Sequence, residues 1–220
     1  MIKLEHTDVY GWEAAIRGMR NPMNSWIQSD SGWDWIPEQP PMTPTDEGWE
    51  YVLGENDLRL SKNLSKAGND HGKFLRMITV TVDITAPLYW WKEFDTYKVG
   101  TVANSCSTMH KIQSKEFTFD DFSCEKLTPE SCVALEHIIE CMEANRKLFL
   151  ALDGKDAKIA WWQMIQLLPT SYNQKRTVQL NYQVLKSMYF ARRHHKLDEW
   201  REFCAWCESL PYFKEICIQV

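Results

Sequence analysis

The stretch MITVTVDIT, residues 77–85, limits what this chain can fold into more than any other. Ile78, Val80, Val82 and Ile84 fall on one face, and Thr79, Thr81, Asp83 and Thr85 on the other. A period of two is the pattern of an extended strand with one buried face. Ala86-Pro87 ends the strand. Pro87 suits the first turn of a following helix that carries Leu88, Trp91 and Asp95 at helical spacing.

Most of the remaining chain reads as helix. GWEAAIRGMR, residues 11–20, is a short amphipathic helix, and the stretch from about 21 to 48 is a long loop in which Pro37, Pro40, Pro41 and Pro44 forbid regular helix. Loops of that length are functional or are assembly arms, and its tryptophans suggest that it packs on something. A helix resumes near Asp46 and runs, with a break at Gly54, to Ala67 before Gly68 stops it. Thr128-Pro129-Glu130 opens another, with a capping hydroxyl and Pro at the first position, that continues through 135, 138, 139, 142 and 149 to Leu152 before Gly154 ends it. Further helices are expected over 156–168, stopped by Pro169, over 178–192, and around Leu197, Trp200, Cys204 and Cys207. The expected architecture is α+β, helix-dominated, with a small sheet, as one domain over residues 1–220.

A net charge of -5 and a pI near 5.7 exclude a protein that holds a nucleic acid polymer by bulk electrostatics, but leave room for a local pocket for one phosphate. Seven cysteines without framework spacing fit a reduced, cytoplasmic protein, and no stretch reaches the roughly 18 apolar residues of a membrane span. The eleven tryptophans read either as core and subunit contacts or as stacking platforms for a planar ligand.

Three clusters could carry chemistry. Cys204-Ala205-Trp206-Cys207 is a C-x-x-C, but it lacks a strand-to-helix context and a second ligand pair, and its two thiols share the apolar face of a helix, as buried free cysteines would. Ala191-Arg192-Arg193-His194-His195-Lys196 is either a solvated helix end or a site for an anion or nucleobase, which a guanidinium fork recognises at two acceptors. Adjacent histidines point to different helix faces and make a poor metal pair. Asn104-Ser105-Cys106-Ser107-Thr108 is either a polar surface loop or a turn whose N–H groups receive a phosphate. Within it Cys106 reads as a nucleophile or as a small buried residue, with no activating partner nearby in sequence.

In their order along the chain, these segments resemble the flavin-dependent thymidylate synthases, the ThyX family. Asn69-Asp70-His71-Gly72 precedes the strand 77–85; APLYWWKEFDTYK and VGTVANSCSTMH follow it. Then come Leu168-Pro169, Thr177-Val178-Gln179-Leu180-Asn181, the segment 185–192 and Glu199-Trp200, with a weaker echo at 12–20. The resemblance implies a helix-dominated ThyX-like fold with a small antiparallel sheet, assembled as a homotetramer. It implies substrate contacts to a pyrimidine nucleotide such as dUMP from Glu93, Asn104, Cys106, Ser107 and Arg192, with Ser107 and Arg192 catalytic. It places FAD on His71, Tyr97, Lys98, Asn181 and Ser187, with methylenetetrahydrofolate and NADPH as co-reactants.

The family's Arg-His-Arg is replaced by Thr96-Tyr97-Lys98, or Tyr97-Lys98-Val99 one residue on; Glu93 replaces a glutamine, Arg76 an acidic residue, and Thr108-Met109 the arginine after the signature serine. The implied activity is one-carbon transfer to C5 of the pyrimidine. Its alternatives are a catalytically silent nucleotide-binding or protein-interaction module, with the Trp-rich loop serving a partner, and a different modification of the ring such as hydroxymethylation.

Overall fold

The structure is a computed structural model, and it describes residues 1–35 and 48–219. The expected strand is β4, Thr79–Pro87. Its face of Val80, Val82 and Ile84, together with Ile78, is fully buried. It is an inner strand of a four-stranded sheet, in the order β1-β4-β6-β5, where β1 is Lys3–Tyr10, β5 is Val102–Ser105 and β6 is Asn173–Asn181. Every pairing in it is antiparallel, and β4 runs against β6 in unbroken register from Thr79↔Asn181 to Pro87↔Asn173.

Against this sheet pack α1 (Trp12–Arg20), α2 (Glu55–Lys66), α3 (Leu88–Phe94), α6 (Tyr182–Arg192) and α7 (Asp198–Ser209). Trp12, Trp90, Trp91 and Trp200 lie in the shared core with Phe203, Phe213 and Leu185. A second buried cluster joins α4 (Pro129–Ala151) and α5 (Gly154–Leu167) to the segment before them, through Ile112, Phe117, Phe122, Ile139, Met142 and Met164. The fold is α+β, helix-dominated, with a small antiparallel sheet, as the sequence predicts. No helix among the described residues is long and apolar enough to cross a membrane.

Several boundaries differ from expectation, each for a physical reason. The expected helix over 178–192 begins only at Tyr182. Residues 173–181 form β6, whose Val178 and Leu180 are buried between exposed Thr177 and Gln179, so a short run of two apolar residues belongs to a period of two rather than 3.6. Asn181 closes the strand and caps α6, its Oδ1 accepting the Val184 N–H at 3.0 Å. The Trp-rich segment is not all loop. β2 (Gly32–Trp35) and β3 (Trp49–Val52) form an antiparallel pair with Trp35 opposite Trp49, so the helix expected from Asp46 starts only at Glu55, after Gly54. Residues 36–47, which hold the prolines, and Asp46, lie outside the described residues. The polar stretch before Cys106 is the edge strand β5, and Gly154 opens α5 as well as following α4.

Gly11 precedes α1 at φ 90°, and a Cβ there would stand 2.2 Å from the Met77 carbonyl oxygen at the entry to β4. Gly11→Ala is expected to lower stability by at least about 1–3 kcal/mol, from the left-handed backbone and the clash with a carbonyl that cannot yield. Urea unfolding followed by tryptophan fluorescence measures it, and an unchanged midpoint would contradict it.

Candidate functional site

The segment 97–100 and helix α6 lie side by side. At the C-terminal end of α6, Arg192 turns back onto α3, its Nη1 donating to Glu93 Oε2 at 2.7 Å and its Nε to the Tyr97 hydroxyl at 2.9 Å. The guanidinium stacks 4.8 Å from the Trp200 ring centroid. Glu93 Oε2 also accepts from Trp200 Nε1 at 2.9 Å and faces His195 Nε2 at 3.3 Å. The Leu197 N–H donates to His195 Nδ1, which leaves the imidazole proton on Nε2, directed at the carboxylate. Three donors therefore converge on one oxygen of Glu93 and fix the carboxylate and guanidinium side by side, both partly open to solvent.

At the other end of α6, Gly100 adopts φ 78°, and a Cβ on it would meet Asn181 Nδ2 and Val184 Cγ2, so the 98–100 turn packs against the helix start. On the opposite flank Gln183 donates to Asn69 Oδ1 at 3.1 Å and its Oε1 lies beside Gly72, which brings the turn bearing exposed His71 to the same place. Ser187, one turn on, donates to the Gln183 carbonyl. The residues to which the resemblance assigns cofactor binding are thus spread along α6: Asn181 caps its N-terminus, of the kind that favours anions, near the turn bearing His71; Ser187 lies mid-helix; and Tyr97, next to Lys98, meets Arg192 at its C-terminal end. Lys98 is exposed there, in a shallow recess of about 300 Å³ with Tyr97, Thr101 and Ala103.

Asn104 lies exposed on edge strand β5, opposite Thr177. Beyond it Cys106 and Ser107 line a cavity of about 610 Å³ with Thr108, Lys111, Lys115, Tyr172 and Lys175. That size suits a small-molecule ligand. The Ser107 hydroxyl oxygen accepts the His110 N–H at 2.9 Å and so fixes the turn that follows. Lys115 is paired with Asp121; its burial works against its charge, but the bond and charge of Asp121 outweigh that and hold it above the ordinary lysine value. Burial raises the Tyr172 hydroxyl, keeping it a proton donor.

The expected substrate residues are therefore gathered into two groups. Glu93 and Arg192 meet at the end of α6, and Cys106 and Ser107 meet in the cavity, whose lining contains neither of the first two. The reading of Cys106 as a small buried residue is corrected: it is exposed. Sequence reasoning missed Lys111, Lys115 and Tyr172; the first two follow Cys106 within ten residues, but Tyr172 arrives only through the pairing of β5 with β6. The C-x-x-C is settled in favour of buried thiols, since burial pushes Cys204 up to about 11 and Cys207 upward as well. No cluster of metal-ligating side chains occurs among the described residues.

No family model and no curated protein matches the sequence. Solved structures do. Thymidylate synthase X (ThyX) from Helicobacter pylori, in a crystal structure with FAD and dUMP, is 14% identical and superposes with a TM-score of 0.68 over 100% of this chain and 98% of that one. A second structure of the flavin-dependent ThyX from that organism, complexed with FAD and dUMP, gives a TM-score of 0.62 at 14% identity over 99% and 98%. The chain has a ThyX-like fold along its whole length.

Proposed function

We propose that this protein is a thymidylate synthase-like enzyme that binds a pyrimidine deoxynucleotide, dUMP or a close relative, and transfers a one-carbon unit to C5 of its ring. The observation that carries the reading is the cavity beside Ser107, large enough for a mononucleotide and lined by Lys111, Lys115 and Lys175 together with Asp120 and Asp121, where Lys115 pairs with Asp121 and Lys175 with Asp83. Lysines there take over from the arginine that the family has after its signature serine, which this chain replaces by Thr108-Met109. An ammonium serves a phosphate as a point charge without the planar fork.

In this reading Arg192 donates to a pyrimidine carbonyl, where negative charge develops during attack at C5. Glu93, Tyr97 and Trp200 hold the guanidinium in place, so little reorganisation accompanies binding. Because Arg192 is absent from the cavity lining, one nucleotide would reach both groups through a neighbouring subunit of a homotetramer. The exposed Val133, Leu148, Leu150 and Leu152 of α4 and its end, with Ile159 and Trp162 of α5, offer the apolar area for such an assembly.

FAD fits the face along α6. His71, Lys98, Asn181 and Ser187 would hold it, the helix N-terminus and Lys98 meeting its phosphates and Tyr97 its apolar portion. When bound it supplies the hydride, with methylenetetrahydrofolate as carbon donor and NADPH as electron source. The chain's own residues bind, orient and exclude water. With Lys98 as the single cation from the Arg-His-Arg position, each missing charge-assisted bond forgoes roughly 1.5–3 kcal/mol, so flavin is expected to bind more weakly than to a protein carrying all three.

Calorimetry tests the reading. Titration with dUMP is expected to release heat that weakens as salt rises, since lysine–phosphate contacts are screened. Absence of binding by dUMP and dCMP alike would overturn it.

A further inference from the structure

The Glu93–Arg192 pair has bonding capacity that the fold does not use. A guanidinium carries five N–H donors, and a carboxylate offers only acceptors. Arg192 uses Nε on the Tyr97 hydroxyl and one hydrogen of Nη1 on Glu93 Oε2. Trp200 Nε1 donates to that same oxygen at 2.9 Å, and His195 Nε2 faces it at 3.3 Å. Among the described residues, nothing donates to Glu93 Oε1 and nothing accepts from Arg192 Nη2 or from the second hydrogen of Nη1. The Arg192 and Glu93 side chains are 19% and 34% exposed, so a ligand can reach these unfilled groups. Stacking on Trp200 and the bond to Tyr97 hold the guanidinium in place meanwhile. Side by side, the pair presents two donors from the guanidinium and then one acceptor from the carboxylate.

We infer that this pair reads the edge of cytosine, so that the nucleotide of the proposed site is dCMP in preference to dUMP; the inference rests on that site. Along the edge that carries N3, cytosine presents O2 and N3 as acceptors and its 4-amino group as a donor. Uracil presents O2 as an acceptor, N3–H as a donor and O4 as an acceptor. Two guanidinium donors followed by a carboxylate acceptor complement cytosine at all three places, with Arg192 on O2 and N3 and Glu93 on the 4-amino group. Uracil in the same position fails at two of them: N–H meets N–H at N3, and the O4 lone pairs meet the carboxylate. Shifted by one place, with a carbonyl on Arg192 and N3–H on Oε1, uracil keeps two contacts and sets its other carbonyl against Glu93. Selection therefore comes from a repulsion as well as from an extra bond. Trp200 and His195 serve it by occupying Oε2, which leaves Oε1 as the oxygen for the base.

Calorimetry on the intact protein with three mononucleotides tests this: dCMP, dUMP and the deoxynucleotide of pyrimidin-2-one, which keeps O2 and N3 but carries hydrogen at C4. The parent is expected to bind dCMP about tenfold or more tighter than either of the others, the discrimination of one well-placed base contact. Glu93→Gln is expected to shift the ratio of dCMP to dUMP affinity by about tenfold toward dUMP, because an amide can turn a donor toward O4. A carboxylate that only braced Arg192 would weaken all three nucleotides alike on substitution and leave their ratios where they were. Near-ultraviolet circular dichroism checks that the variant is folded, and the comparison of the three nucleotides on the parent needs no substitution at all. Parent protein that binds dUMP or the pyrimidin-2-one nucleotide as tightly as dCMP overturns the inference and leaves the nucleotide site standing. So does a ratio that stays unmoved in folded Glu93→Gln. No binding of any of the three to the parent overturns the site and the inference together.

Discussion

Arg192→Ala is expected to weaken dUMP binding by about 10- to 100-fold and to lower turnover further still. The guanidinium would supply charge-assisted bonds of roughly 1.5–3 kcal/mol each, and in the proposed site its remaining donor edge would face the pyrimidine carbonyl on which charge accumulates, so the loss is expected to weigh on the transition state more than on the ground state. Removing it also leaves the Glu93 carboxylate in the site with only Trp200 and His195 to oppose it, which repels a nucleotide phosphate and an enolate alike. Arg192→Lys separates charge from geometry. Lysine keeps the cation but cannot hold Glu93 and the Tyr97 hydroxyl while presenting a second donor edge. It is expected to recover part of the binding and little of the turnover. Calorimetry and steady-state kinetics on both variants check this; an alanine variant that binds and turns over normally would remove Arg192 from the site. Because the side chain is also mostly buried against Glu93, Tyr97 and Trp200, urea unfolding of each variant is measured alongside, so that a loss of binding is read only from folded protein.

Asp57→Ala is expected to cost about 3–5 kcal/mol of stability, the range for stripping the partner from a buried charge. Asp57 is fully buried in α2 and accepts Arg20 Nε at 2.6 Å, itself buried in α1. It also accepts the Ser29 hydroxyl, the Ser31 hydroxyl and the Asp30 and Ser31 N–H groups. One carboxylate thereby fastens the beginning of the Trp-rich segment to two helices. Burial alone would raise its pKa, but the bonds from Ser31, Ser29, Arg20 and Asp30 outweigh that and hold it below the usual aspartate value.

The stabilisation is complete above the unfolded value of about 3.9 and is lost as pH falls through the lower folded value. Urea midpoints of the parent should be flat with respect to this group from pH 7 to about pH 4 and fall below that, whereas Asp57→Asn should start low and lack this component of the acid limb. A parent and variant that lose stability in parallel from about pH 4 downward would contradict the assignment.

How much of this was legible beforehand differs by element. β4 was clear because it is an inner strand whose burial writes a strict alternation into the sequence. The 23-residue α4 was clear because Thr128 accepts the Ser131 N–H and Pro129 sits at the first position, a local chemistry that needs no tertiary partner. β1 was hidden: it is an edge strand, mostly exposed, whose register shifts between Glu5 and Asp8 where His6 takes φ 52°, so it carries no period. β6 was hidden behind Asn181, where strand and helix abut without an intervening loop. Residue order along the chain was enough to expect the ThyX-like fold, because folds tolerate divergence of side chains at everything but pattern.

For the candidate site, the sequence alone determined which side chains to propose: Arg192, Cys106 and Ser107 stood out by type and position, and Glu93, Tyr97 and Lys98 through the family resemblance. The tertiary structure alone decided who their neighbours are. His195 and Trp200 converge on Glu93 because α7 packs back beneath α6 and α3, and Tyr172 reaches the Cys106 cavity because β6 pairs with β5. Local signals encode capping and period, which involve residues within a few positions. Pairing of strands and packing of helices join residues tens of positions apart, and those contacts leave no mark on either sequence segment taken by itself.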